Sequence, residues 1–222
     1  MRISGQSKEQ GLGAQKARLQ EQIEKQKAEL AALSAPETAD DRLNKATKME
    51  ELAMLLWQDQ NFKEALAVLT KALSLEKESG AGKDRIIATL NQIATVCRDS
   101  NKYEDMRIAL RQIQTLNEHD PATTAEVRIR DKQNMASCNF LLAVQEADPT
   151  KRRQQLELTQ ITMRDLKAEL LKERSVDGLS PSEKSLLATI DENLSSVFDE
   201  LGDAAAAKPL KDEAQTLRSA SR

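Results

Sequence analysis

A chain of 222 residues is long enough to bury a sizeable core and short enough to fold as one continuous unit. With aromatics at 2%, seven glycines and five prolines, strong helix formers fill nearly every segment, which argues against a β-rich fold and predicts an all-α one. The charged fraction is 31% and the net charge −3, so the surfaces are mixed in sign and lack the basic excess that phosphate neutralisation requires; no nucleic-acid partner is expected.

Residues 1–13 are polar with three glycines and are expected to be a flexible tail. The amino terminus carries no apolar stretch of the kind a signal or membrane anchor needs, so no membrane contact and a cytoplasmic location are expected. An amino-terminal helix is predicted over 14–34. Within it Leu19, Ile23, Gln26, Leu30 and Leu33 follow a heptad seam. Two readings stand: a short coiled coil giving weak dimerisation through 15–33, or a helix packed on its own domain. Pro36 then interrupts the helical pattern.

From Leu43 the 3.6-residue periodicity runs to Trp57, stops at Asp59-Gln60-Asn61 and resumes from Phe62 to Leu75, which predicts a helical hairpin. A second pair is predicted over 85–99 and 102–117, and a third over 122–147 and 150–174, bounded by Asp120-Pro121 and Asp148-Pro149. The fourth pair is predicted over 182–201 and 204–217, with Gly202-Asp203 as the turn. Pro209 predicts that its last helix starts or kinks there, because an interior proline costs about 3 kcal/mol.

Sliding the first pair by 41 residues lays Met49, Leu52, Ala53 and Leu56 onto Leu90, Ile93, Ala94 and Cys97. The same slide lays Phe62, Ala65, Leu69 and Ala72 onto Tyr103, Met106, Leu110 and Ile113. No hairpin of this kind covers its apolar face alone, so successive hairpins are expected to stack. On these residues the chain resembles the tetratricopeptide repeats, whose small and aromatic positions fall at Ala53, Phe62, Ala65, Leu69 and Ala72. The run Leu75-Glu76-Lys77-Glu78-Ser79-Gly80, followed by Leu90-Asn91, Ile93-Ala94 and Asn101-Lys102-Tyr103, is similar to the longer repeats of kinesin light chains. The chain departs from that pattern at Lys83-Asp84, where those repeats carry His-Pro, and at Cys97, where they favour an aromatic. The resemblance implies a right-handed α-solenoid over 43–218, with first helices lining its inside.

There is no Gly-rich phosphate loop, no zinc helix and no nucleophile with a histidine in reserve, so no catalytic residue, metal or cofactor is assigned. His119 reads as a helix-end group, Cys97 and Cys138 as buried reduced thiols, and Lys151-Arg152-Arg153 as a surface patch offset by Glu146 and Asp148. Asp191-Glu192 reads as a solvated pair with no apolar surroundings.

The expected function is therefore a non-enzymatic protein-interaction scaffold. The inner stripe of the first helices consists of Glu50, Met54 and Trp57 in the first pair and Asn91, Thr95 and Arg98 in the second. Asn91 stands where the family's inward asparagine grips peptide backbones, and Arg98 offers charge-assisted bonds. The stripe suits a peptide or helix of a protein partner, acidic with an apolar anchor. The alternative is a structural subunit of a larger complex, similar to helical-repeat subunits of the proteasome lid.

Overall fold

The computed structural model describes residues 4–33, 35–172 and 175–220. The chain forms two compact units, Met1–Lys102 and Tyr103–Arg222. Among the described residues the regular elements are all helical.

The first unit holds α1 (Ser4–Ala32), α2 (Ala39–Gln58), α3 (Phe62–Glu78) and α4 (Lys83–Asp99). Thr38 starts α2 through a capping box: its hydroxyl accepts from Asp41 N at 3.1 Å while the Asp41 carboxylate accepts from Thr38 N at 3.1 Å. The 41-residue period seen in the sequence is also written in the backbone. Gln60 and Asn101 both adopt left-handed φ, 62° and 57°, at the ends of α2 and α4. At the same offset, Asn61 N bonds Leu56 O and Lys102 N bonds Cys97 O, each at 2.8 Å. Both are the six-residue closure that satisfies a last-turn carbonyl and turns the chain sharply.

Ala53, Ala65, Leu69 and Leu56 are buried where α2 meets α3, and Val96 of α4 joins the same cluster. The cluster also includes Ile23 of α1, at 2% exposure, with Leu19 and Leu30 packed against it. The heptad seam therefore lies on α1's own unit. Gln26, on that seam, donates to Glu51 at 2.8 Å. α1 is helical from Ser4, earlier than the start at 14, because Gln6-Ser7-Lys8-Glu9-Gln10 continues the helix-forming composition through the glycines. Ile23 belongs to the core of the first unit.

The second unit holds α5 (Tyr103–Glu118), α6 (Ala125–Gln145), α7 (Pro149–Leu171), a short 3-10 turn (Val176–Gly178), α8 (Pro181–Leu201) and α9 (Ala204–Ala220). The expected end of the third pair at Arg174 lies outside the described residues. α8 is the most enclosed helix: Leu187, Ala188, Ile190 and Leu194 meet Met163 and Leu166 of α7 and Ala207, Ala214 and Leu217 of α9. Gly202 closes α8 at φ 82°, and Asp203 N bonds Phe198 O at 2.9 Å, so the fourth hairpin repeats the turn of the first. The α6–α7 connection does not. There Glu146 is extended, and Asp148 caps α7 by accepting from Thr150 N and Lys151 N ahead of Pro149 at the first turn. α9 begins at Ala204 with Pro209 inside it, so the helix does not start at the proline. Having no N–H, Pro209 cannot donate to the carbonyl of Ala205 one turn earlier.

Candidate functional site

The six stripe residues occupy two helices of the first unit. Glu50, Met54 and Trp57 lie on α2 and are half-buried; on α4, Asn91 and Arg98 are exposed and Thr95 is half-buried. The Thr95 hydroxyl donates to Asn91 O at 2.9 Å, so it is committed to its own helix. Trp57 Nε1 donates to Asp99 Oδ2 at 2.9 Å, and Arg98 Nε donates to Asp99 Oδ1 at 3.0 Å. One carboxylate thus holds the indole and the guanidinium side by side. Sequence reasoning missed Asp99, although it stands one 41-residue repeat after Gln58, at the end of α4.

Glu50 belongs to a different set of contacts. Glu76, fully buried on α3, accepts from Arg85 Nε at 2.7 Å and from the Thr89 hydroxyl at 2.8 Å. Glu50 Oε1 accepts longer bonds from the same two residues, 3.3 Å from Arg85 Nη2 and 3.1 Å from Thr89 Oγ1. Arg85 Nη2 also donates to Thr47 Oγ1 at 2.8 Å. Burial pushes Glu50 up to about 7, reinforced by the neighbouring Glu76 carboxylate and opposed by Thr89 and Arg85. Glu50 is therefore a member of a polar cluster between α2, α3 and α4, and only its outer edge meets solvent. A signal for this cluster was present in the sequence: Ala65, Leu69, Ala72 and Glu76 continue one helical stripe, and the fourth position is charged. In the second unit Asn117 stands 41 residues after Glu76, is also buried, and donates to Asp131 of α6 at 2.8 Å.

The remaining candidates resolve into structural roles. His119 Nδ1 lies 2.7 Å from Thr115 O at the end of α5. Cys97 and Cys138 are buried and form no disulfide, and burial pushes the Cys138 thiol up to about 11. Arg152 pairs with Glu200 and Arg153 with Glu157, in place of the expected Glu146 and Asp148, because Asp148 and Glu146 are engaged with backbone N–H groups. Asp191 corrects the expectation of a solvated pair. It is fully buried, its Oδ1 accepts from Lys167 Nζ at 2.8 Å, and burial pushes it up to about 6. Glu192 instead meets Arg218 at the surface. Among the described residues no three His, Cys, Asp or Glu side chains gather as a metal site, and no helix is long and apolar enough to cross a membrane.

Residues 41–118 match the family model of the tetratricopeptide repeat. That stretch is a tetratricopeptide-repeat segment. It contains α2 to α5, and hence all six stripe residues. The fold likeness extends beyond the segment. The nearly identical TPR-like repeats assigned to a kinesin light chain of Podosopora anserina superpose with a TM-score of 0.64 at 13% identity, covering 94% of this chain and 90% of that one. A point variant of the same protein gives 0.65 at 13% identity, covering 93% and 90%. BtubC (BKLC) from P. vanneervenii gives 0.57 at 17% identity, covering 95% of this chain and 77% of that one. At these identities the tetratricopeptide-repeat likeness is one of fold. No curated protein matches the chain in sequence.

Proposed function

We propose that the chain is a non-enzymatic scaffold that holds an extended peptide or a helix of a partner protein along the α2–α4 stripe, in a cytoplasmic setting. Tetratricopeptide repeats are in general protein-interaction modules, and the segment 41–118 carries the whole stripe. The observation that carries the reading is Asp99, which orders Trp57 and Arg98 next to each other. Met54 and Trp57 offer an apolar anchor point. Arg98 spends Nε on Asp99 and keeps both terminal nitrogens for an acidic side chain, while the exposed Asn91 amide offers a donor and an acceptor to a peptide backbone. Glu50 contributes through the buried cluster, and Thr95 through shape.

A second reading, a structural subunit of a larger assembly, is favoured by Ile108, Leu158 and Ile161. These large apolar side chains of the second unit are 56%, 65% and 55% exposed.

Affinity capture with the full chain, followed by identification of the bound proteins, tests both. Asn91→Ala and Arg98→Ala are expected to weaken the captured partner by about 1 kcal/mol or more each with unchanged folding. If neither does, the stripe is not the binding surface. Loss of binding only with Leu158→Ser or Ile161→Ser would favour the assembly reading.

A further inference from the structure

A small cleft opens between α2 and α3 beside the connection from α1, lined by Pro36, Lys45, Met49, Lys71, Ser74 and Leu75. Its exposed wall is almost entirely carbon. Ser74 Oγ donates to Thr70 O at 3.1 Å, so the hydroxyl there is spent within α3. Lys45 and Lys71 therefore lend methylene stems to the wall and carry their ammonium groups at its margin. Neither ammonium has a hydrogen bond or an ion pair among the described residues. The sequence explains why. Three and four residues from Lys71 stand Ala67, Val68, Ser74 and Leu75, none of them acidic; for Lys45 the one acid at such spacing is Asp41, whose carboxylate is engaged with Thr38 in the capping box. Lys48, by contrast, is paired with Glu51 at 3.0 Å. The second hairpin has no such arrangement: 41 residues on, Lys45 and Lys71 become Ile86 and Gln112, and the half-buried Met49 becomes the fully buried Leu90. An apolar position that the second hairpin covers is left half-open in the first, between two cations without partners.

We propose that this cleft is a docking site, separate from the stripe, for an acidic segment of a partner protein: one large apolar side chain of the partner enters between Met49 and Leu75, and carboxylates on either side of it meet Lys45 and Lys71. The cavity measures about 290 Å³. That is the bottom of the roughly 300–1,000 Å³ range of small-ligand sites, so it holds a single anchoring side chain and leaves the rest of the ligand outside, which suits a protein segment. Charge complementarity selects the partner. A neutral segment gains only the burial of its anchor, and a basic one is repelled. An acidic one adds two charge-assisted contacts that displace no existing pair. These contacts sit at the margin in water, so their contribution is modest and weakens with salt. None of the six lining residues belongs to the stripe, so the cleft can bind whether or not the stripe does.

The full chain, methyl-labelled at methionine and leucine, is titrated by NMR with a capped peptide that carries one leucine between two pairs of glutamates. The Met49 and Leu75 methyl signals are expected to shift together and to saturate. The shift is expected to vanish when serine replaces the peptide's leucine or glutamines replace its glutamates. The double variant Lys45→Gln with Lys71→Gln is expected to bind the peptide about fivefold more weakly or worse, the ratio that two exposed charge contacts give. No shift at either methyl with millimolar peptide overturns the proposal. So does equal affinity for the glutamine peptide, or an unchanged affinity in the double variant. Should that variant lose its native spectrum, the comparison of glutamate and glutamine peptides on the wild type decides. Shifts confined to Met54 and the Trp57 indole would put the peptide on the stripe and overturn the cleft, whereas shifts at Met49 and Leu75 with Met54 and Trp57 unmoved support the cleft alone. Dodecanoate that moves the same two methyls at lower concentration than the peptide would assign the cleft to an aliphatic carboxylate and overturn the protein partner.

Discussion

The indole N–H of Trp57 donates to Asp99 Oδ2 at 2.9 Å and so ties the last turn of α2 to the last turn of α4. Trp57 is the single tryptophan of the chain, which makes this contact visible in fluorescence. Asp99→Ala removes the acceptor and also releases Arg98. The expected outcome is a red-shifted emission maximum with a stability loss of about 0.5–1.5 kcal/mol, the range for a hydrogen bond that water partly replaces. An unchanged emission spectrum would show that Asp99 does not set the indole's position.

Ala53 is fully buried where α2 crosses α3, and Ala94 is 5% exposed on α4. A leucine at either place adds three carbons where the packing leaves no room. Ala53→Leu and Ala94→Leu are each expected to lower stability by roughly 1–3 kcal/mol in thermal or urea denaturation. Full retention of stability in both would mean that these crossings are not close-packed.

Ile23 is 2% exposed and packs with Leu52, Ala53 and Leu56 of α2. α1 is therefore part of the first unit's core. Ile23→Ala is expected to cost about 2–5 kcal/mol, and a chain starting near Asp40 to lose more. If the wild-type chain is monomeric by light scattering and Ile23→Ala is destabilised, the seam acts within the molecule; a dimer that dissociates in Ile23→Ala would assign it to self-association.

Lys167 Nζ bonds Asp191 Oδ1 at 2.8 Å and Glu213 Oε2 at 2.9 Å. Burial pulls the lysine down, but the two carboxylates outweigh it and raise it overall. Asp191, pushed up to about 6, is charged at pH 8 and largely neutral at pH 5. Its folded value lies above the unfolded one of about 3.9, so the neutral form's contribution is complete below pH 4 and lost as pH rises through 6. Lys167→Met strands that buried charge. The expected loss at pH 8 is roughly 3–5 kcal/mol, shrinking markedly at pH 5. A loss independent of pH would mean that Lys167 acts by packing alone.

The sequence by itself determined the helices and the hairpin period, because both rest on local physics. Helix formers with 3.6-residue apolar spacing define α2, α3, α4 and α8, and the repeat of Gln60 at Asn101 marks turns that close on their own backbone. Short-range signals also placed Ala53 and Ala94 in the core. What only the tertiary structure decided is which polar side chain meets which across a sequence gap. Trp57 and Asp99 are 42 residues apart, and Glu50 reaches Glu76 and Thr89 through two intervening turns. Periodicity places Glu50 on a helix face, but whether that face meets water or Arg85 depends on the approach of α4 to α2. The same holds for Asp191, which reads as a surface acid until α7 and α9 enclose it and Lys167 supplies its charge partner. A carboxylate's burial and charge partners are set by helices distant in sequence, so its chemistry is a property of packing, whereas helix and turn are properties of neighbouring residues.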